Sequence, residues 1–267
     1  MPAPFRGSAI RSFARLVGAD LDEAAREPTA YRSISEFFTR ELRDGVRSWP
    51  PDLDVPASPV DGVIGAHGTI RRGIALQAKG MEYSVSELLA EAGSADRFEG
   101  GRFLTIYLSP RHYHRIHAPV GGSVIRVRHV PGALLPVNEP AVRGLSSLFP
   151  RNERVIVEFD ERRSGGRVAL VAVGAFNVGR ISSLFDPSLN VSPDRGISNL
   201  GDRSSLSTWE YDPPSKIDRG SQLLAFHLGS TVVLLFQADA LDEMRGLHGL
   251  AVGHEVRLGE PIEGFGG

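Results

Sequence analysis

SPVDGVIGAHGTI (residues 58–70) and APVGGSVIRVRHV (118–130) share one frame, small residue–Pro–Val–x–Gly, each followed by an alternating strand-like run. Proline presets the backbone for a turn and glycine permits a sharp reversal, so each frame predicts a turn feeding a strand. Two such units in one chain predict two similar half-sheets wrapped on each other. Working outward from them, short apolar runs predict further strands near 74–78, 102–108, 154–160, 167–175, 177–184, 206–211, 222–228 and 231–236. One helix interrupts them at 84–92, with Ser84 as cap and Glu87 completing a capping box.

The expected fold is therefore α+β and β-rich: a barrel-sandwich-like core preceded by a short helical segment. Lipoyl- and biotin-carrier domains use the same frame, but they present a lysine at a hairpin tip, and this chain has no Met-Lys or Asp-Lys hairpin. Upstream, FRGSAIRSFARLV (5–17) places Phe5, Ile10, Phe13 and Val17 near one side of a helix, with Arg6, Arg11 and Arg15 elsewhere. Such a helix either caps a core or lies on an anionic membrane surface. SISEFFTRELR (33–43) predicts a second helix, capped by Ser33 or Ser35. The proline-rich WPPDLDVPASP (49–59) then divides an N-terminal segment, 1–50, from a catalytic β-rich domain, 51–267.

Composition removes several classes of function. The 30 Lys and Arg against 32 Asp and Glu leave a net charge of −2, with no aromatic-interleaved basic patch for nucleic acid. The absence of cysteine excludes disulfides, thiol catalysis and cysteine-based zinc sites. The longest apolar run, VALVAVGAF (168–176), has strand length and is broken by Gly174. The N-terminus lacks a signal-peptide apolar core, so a soluble or peripheral protein is expected.

The densest polar chemistry is YLSPRHYHRIHAP (107–119), with His112, His114 and His117 directly after an apolar strand. Three imidazoles suggest zinc, but no HExxH or other compact carboxylate–histidine pattern accompanies them. His112 reads most readily as a structural strand-end residue. FHLGSTVVLLF (226–236) places Ser230 after Gly229 at the mouth of a buried strand, ordinarily a plain corner. Asp61, in SPVDG, is ordinarily a turn residue. A carboxylate, a histidine and a serine on three separate segments form an orienter, base and nucleophile if the fold brings them together.

SPVDG, YLSPRHYHRIHAP, LFPRNERV (148–155), VGAFNVGRI (173–181) and LGST (228–231) follow one another as in phosphatidylserine decarboxylase proenzymes. SISEFFTRELR and QAKGMEYSVSELL (77–89) are similar to further segments of that family, and the resemblance spans roughly residues 33–236. Three departures stand out. His112 replaces a usual Asp, Arg180 replaces a common Ser, and DRGSQLLAF (218–226) keeps only part of the approach to LGST.

The resemblance implies a self-processing decarboxylase. Ser230 attacks the Gly229 carbonyl, and β-elimination splits the chain into a β chain, 1–229, and an α chain, 230–267. Ser230 then becomes a covalent pyruvoyl cofactor, which forms a Schiff base with phosphatidylserine and yields phosphatidylethanolamine and CO2. His117 is assigned as base with Asp61 as its orienter, by analogy with serine-protease triads. His114 serves the decarboxylation cycle. No metal or pyridoxal is expected. The implied partners are phosphatidylserine in an anionic membrane and the β chain with the α chain, with a homo-oligomer left open and no nucleic acid. The implied location is peripheral, on the cytoplasmic face of the cell membrane. Two other readings differ at the site: a pyruvoyl enzyme acting on another serine-ester lipid, and a barrel-sandwich binding module that never cleaves.

Overall fold

The computed structural model describes residues 3–53, 55–78, 81–175, 180–192, 196–197, 205–227, 230–242 and 251–262. The strands are β1 (Gly62–Thr69), β2 (Ile74–Ala78), β3 (Met81–Ser84), β4 (Arg102–Leu108), β5 (Arg115–His117), β6 (Gly122–Val130) and β7 (Arg154–Glu161). They continue with β8 (Arg167–Val173), β9 (Ile181–Ser183), β10 (Ser207–Ile217), β11 (Gln222–Phe226), β12 (Ser230–Phe236) and β13 (Glu255–Val256). Eight form one sheet in the order β10-β6-β7-β8-β12-β4-β1-β13, beside a three-stranded sheet β5-β11-β9 and the hairpin β2-β3. The large sheet ends on two edge strands and is not a closed barrel.

The repeated frame is a structural repeat. β1 and β6 each begin at the frame's glycine, and each carries a register shift at the same place, Ile64/Ala66 and Val124/Arg126. Each is flanked by an edge strand in matching register, Gly62 opposite Val256 and Gly122 opposite Ile217. Ser58 accepts from Gly259 N (3.0 Å) and donates to Glu260 O (2.7 Å); Ala118 makes the same pair with Gly220 N (2.9 Å) and Ser221 O (2.8 Å). The frames also bond each other reciprocally: Ala57 N to Pro119 O and His117 N to Pro59 O, both at 2.9 Å. Five strand spacings separate β6 from β1 in the sheet order, roughly 24 Å on a flat sheet. Contact between their lead-in turns therefore requires the sheet to curve strongly.

Trp49 packs against the turns of both halves. A side chain on Gly220 (φ +87°) would come within 3.1 Å of its ring, and one on Gly259 (φ +83°) within 3.4 Å. Glycine meets both demands there, the left-handed backbone and the close approach.

β12 lies between β4 and β8, and every residue of STVVLLF is buried. This explains why the segment does not alternate between apolar and polar. Burying each Val, Leu or Phe stabilises by roughly 1.5–3 kcal/mol, so β12 is anchored along its whole length.

The helices depart from expectation in instructive ways. α1 (Arg6–Val17) buries Gly7, Ile10 and Ala14 against a small separate cluster with Ala24, Tyr31 and Phe37. Phe5 and Leu16 stay 66% and 84% exposed. α2 (Ile34–Phe38) starts at the Ser33 cap but stops well short of residue 43. Residues 41–43 peel away to pair with 23–25, through Ala25 N to Glu41 O (2.8 Å) and Arg43 N to Glu23 O (2.9 Å). α3 (Val85–Leu89) is capped by Ser84 as expected, but ends at Ala90, whose φ of +51° breaks the helix. A second short helix, α4 (Ser94–Arg97), follows. The strand expected at 206–211 runs on to Ile217, and that expected at 177–184 is confined to Ile181–Ser183, with 177–179 outside the described residues.

Candidate functional site

Two chain crossings create the site. β4 and β12 pair in the large sheet, with Leu108 opposite Ser230. β5 and β11 pair in the small sheet, with Arg115 opposite Ala225 and Phe226 N bonded to His114 O at 2.9 Å. The histidine loop 109–114 therefore links the two sheets, and its end lies beside the end of β11 at Phe226. At this crossing Leu108 stands opposite Ser230, and His114 is bonded to Phe226, four positions before Ser230 in the sequence. Leu228 and Gly229 lie outside the described residues.

Ser230 is fully buried, and its Oγ has no hydrogen-bond partner among the described residues. On its other flank Thr231 pairs with Val173, so the register brings Gly174 opposite Ser230. Gly174 is held at both polar atoms, by Asn152 Nδ2 on its carbonyl (2.8 Å) and by the Glu153 carbonyl on its N–H (2.8 Å). The segment LFPRNERV thus builds one wall beside the serine, a role its sequence does not announce.

His114 is fully buried, with its ring 4.0 Å from that of Phe38. Its Nδ1 donates to the His112 carbonyl at 2.8 Å, which places the neutral ring's lone pair on Nε2, an atom without a partner. Burial, reinforced by the nearby Arg40 charge, pushes its pKa well below the ordinary histidine value. His114 is a neutral, unoccupied base.

His117 has the same tautomer, with Nδ1 donating to the Gly220 carbonyl at 2.7 Å. Its Nε2 faces the Tyr113 hydroxyl at 3.1 Å. Burial lowers its pKa, and the charge of Asp61 pulls partly in the opposite direction. Neither ring nitrogen bonds to Asp61.

The Asp61 carboxylate is instead gripped by Arg47, at 3.1 and 2.6 Å, and by Leu258 N at 2.8 Å. Arg47 also binds Glu23 through both NH groups, at 3.0 and 2.8 Å. Burial alone would lower the Arg47 pKa; its bonds to Glu23 and Asp61 outweigh this and raise it. The structure thus gathers Asp61 near His117 as a fixed negative charge rather than as a direct hydrogen-bond partner of the ring.

His112 closes its own loop, accepting the Ser109 N–H on Nδ1 at 3.0 Å. The three histidines do not converge on a point, and the described residues hold no group of three or more His, Cys, Asp or Glu arranged for a metal ion.

A cavity of about 350 Å³ opens beside His117, lined among others by Glu41, Arg47, Trp49, Tyr113 and Gly220. Ser230 and His114 are not among its lining residues. Much of the wall comes from residues 41–49 of the N-terminal segment, which sequence reasoning placed outside the site. Arg47, Trp49 and Phe38 were missed because they belong to that segment, and Tyr113 because the histidines around it carried the reading. Their local signal was an Arg and a Trp at the entry to a proline-rich linker, and a Tyr inside the histidine run.

Comparison with known proteins identifies the family. The family described as Phosphatidylserine decarboxylase matches residues 34–263. A phosphatidylserine decarboxylase proenzyme of Anaeromyxobacter sp. (strain K) is 42% identical over 98% of this chain and 89% of its own. Proenzymes of the same name from Azotobacter vinelandii and Myxococcus xanthus are 40% and 38% identical, over 96% and 98% of this chain and 87% and 88% of theirs. The chain belongs to the phosphatidylserine decarboxylase family.

Proposed function

We propose that this protein is a proenzyme that cuts itself between Gly229 and Ser230 and then decarboxylates phosphatidylserine. The observation carrying this reading is the buried Ser230 hydroxyl, which has no hydrogen-bond partner among the described residues, on the strand paired with β4, the strand that leads into the histidine loop. An unsatisfied buried hydroxyl is costly, and it persists where chemistry uses it.

In maturation, the Ser230 Oγ attacks the Gly229 carbonyl carbon while a histidine takes its proton. The amide becomes an ester and the Ser230 nitrogen leaves as a free amine. Elimination breaks the Cβ–Oγ bond, releasing Gly229 as a carboxylate and leaving dehydroalanine. Water then displaces ammonia to give a pyruvoyl ketone. His117 is the base, and the Asp61 charge stabilises its imidazolium as the proton arrives. β12, paired on both sides, holds the new chain end in place after the cut.

When formed, the pyruvoyl group supplies a carbonyl for the substrate amine and a sink for the electrons left by CO2. The protein's own contribution is the buried His114 ring against Phe38, with its neutral Nε2 poised to hold or return a proton.

The exposed Phe5 and Leu16, on a helix carrying Arg6, Arg11 and Arg15, give the N-terminal segment a face suited to an anionic bilayer. No helix among the described residues is long and apolar enough to cross a membrane. Intact mass spectrometry tests the central reading: it should find chains 1–229 and 230–267, the second lacking a free amine, and Ser230→Ala should remain one chain. An active protein with an unbroken chain would refute it.

A further inference from the structure

Arg40 is 3% exposed, yet among the described residues its guanidinium bonds to carbonyls only and to no carboxylate. Among the described residues, the guanidinium makes only two long hydrogen bonds, from NH2 to the Arg111 and His112 carbonyls at 3.4 and 3.5 Å, while Nε and NH1 have no partner there. The guanidinium lies 4.9 Å over the Phe37 ring. The other buried arginines are treated differently. Arg128 is paired with Glu158 at 2.7 Å. Arg154 spends its donors on the Leu88, Glu87 and Asn152 carbonyls at 2.6, 2.7 and 2.9 Å. A buried cation with two unused donor nitrogens is expensive to keep, and an anionic ligand relieves that cost.

The location narrows the ligand. The His112 carbonyl that accepts from Arg40 also accepts from His114 Nδ1, so guanidinium and catalytic imidazole are neighbours. Glu41 and Tyr113, which flank Arg40 and His112 in sequence, line the cavity. Arg40 itself is buried and is not part of that lining; it is tied to the cavity wall through its sequence neighbour Glu41 and through the His112 carbonyl. Resting on the decarboxylase reading above, we propose that Arg40 is the anion-binding residue of the substrate site and takes the phosphodiester of the lipid headgroup.

The substrate carries two anions, and the reaction chooses between them. An ion pair to the carboxylate exists in the ground state and is lost as CO2 departs, so it would raise the barrier. An ion pair to the phosphodiester survives the whole reaction and fixes the headgroup with no such penalty. The planar fork of arginine also matches phosphate oxygens in pairs.

The test uses soluble dihexanoyl lipids with the full chain. Dihexanoyl phosphatidylglycerol, which has the phosphodiester but neither amine nor carboxylate, should bind wild-type protein calorimetrically and compete with dihexanoyl phosphatidylserine. Arg40→Gln should weaken that binding and raise the KM for phosphatidylserine about 10- to 100-fold, the range of a lost charge-assisted contact, with a smaller change in kcat. Arg40→Lys, keeping the charge but not the fork, should fall between. Turnover of the O-hexyl ether of serine, which lacks phosphate, should fall far less than that of phosphatidylserine, by no more than the Arg40 charge contributes to keeping His114 neutral.

Equal losses on both substrates would assign Arg40 to the carboxylate and overturn the proposal. So would phosphatidylglycerol binding within twofold of wild type in Arg40→Gln. Should both variants fail to fold, absence of phosphatidylglycerol binding by the wild-type protein overturns it alone, and its presence supports it. A chain that never splits would instead refute the decarboxylase reading, while calorimetry on that uncut chain still reports on Arg40.

Discussion

The halves beginning at Ser58 and Ala118 share a backbone scheme and differ in what it carries. Where one half has Ala57, the other has His117; where one has Asp61, the other has Gly121. The shared scheme comprises the reciprocal proline-carbonyl bonds, the left-handed glycine turns and the edge-strand registers. The two side chains assigned to one relay thus come from opposite halves, at positions that are not equivalent. Symmetric backbone contacts fix where the frames cross. Chemistry enters only where the sequence breaks the symmetry.

This supplies a sharp control for the largest expected effect. Alanine already occupies the position equivalent to His117, in the same backbone environment, so His117→Ala should leave the frame folded. If His117 is the base, self-cleavage slows about 10²–10⁴-fold, visible as a persistent single chain on a denaturing gel with an unchanged circular dichroism spectrum. A normally processed His117→Ala would move the base elsewhere, and His114, with its vacant Nε2, is where it would go.

His114→Ala sharpens the same comparison from the other side. The two imidazoles share a tautomer and differ in what meets the lone pair: nothing for His114, the Tyr113 hydroxyl for His117. His114→Ala should still split into two chains but turn over phosphatidylserine about 10²-fold more slowly, because the neutral proton-handling group is gone. Gel and rate assay together separate the roles. An uncut His114→Ala with a normally cut His117→Ala would reverse them.

Much of this was legible before any coordinates, for identifiable reasons. The repeated Pro-Val-x-Gly frame is local turn chemistry, and it marked the starts of β1 and β6 because proline and glycine act on their own residues. Asp61, His114, His117 and Ser230 were legible as reactive types in a telling order. The Asp61–His117 hydrogen bond expected from the protease analogy is absent from the structure, where Gly220 O occupies Nδ1 and Arg47 occupies the carboxylate. Neither partner could be seen locally, since Gly220 and Arg47 arrive from 103 residues downstream and 14 upstream. The same holds for α2. SISEFFTRELR has the composition of a longer helix, but residues 41–43 gain more by pairing with 23–25, and Arg40 is left buried at the break.

Asp61→Asn tests the cross-half charge with a smaller expected effect. Because Asp61 acts on His117 through its field, removing its charge should slow self-cleavage about tenfold, the equivalent of roughly one pKa unit. Arg47 keeps Glu23 as a partner, so the stability loss should be about 1–3 kcal/mol, short of that for an orphaned buried cation. A decrease in cleavage as large as that of His117→Ala would instead indicate direct relay geometry during the reaction.

The smallest effect belongs to Tyr113→Phe. The tyrosine hydroxyl donates to the lone pair of neutral His117 and so favours the unprotonated ring. With the pKa already lowered by burial, wild-type self-cleavage should be level above about pH 6.5, the ordinary histidine value, and should decline only below it. Removing the hydroxyl raises the His117 pKa, so the decline should move to higher pH, by roughly one unit or less for a neutral hydrogen bond of about 0.5–1.5 kcal/mol. Stability carries the same sign. For His114, His117 and His227 the unfolded chain binds protons at higher pH than the folded one, so stability present above about pH 6.5 is lost as pH falls toward each folded value, about 3 for His227. Tyr113→Phe should lessen the His117 share of that acid loss while shifting the cleavage profile upward. Measuring both on one protein isolates the single hydrogen bond: a shifted rate profile without flatter acid unfolding would mean that the tyrosine acts on a group other than His117.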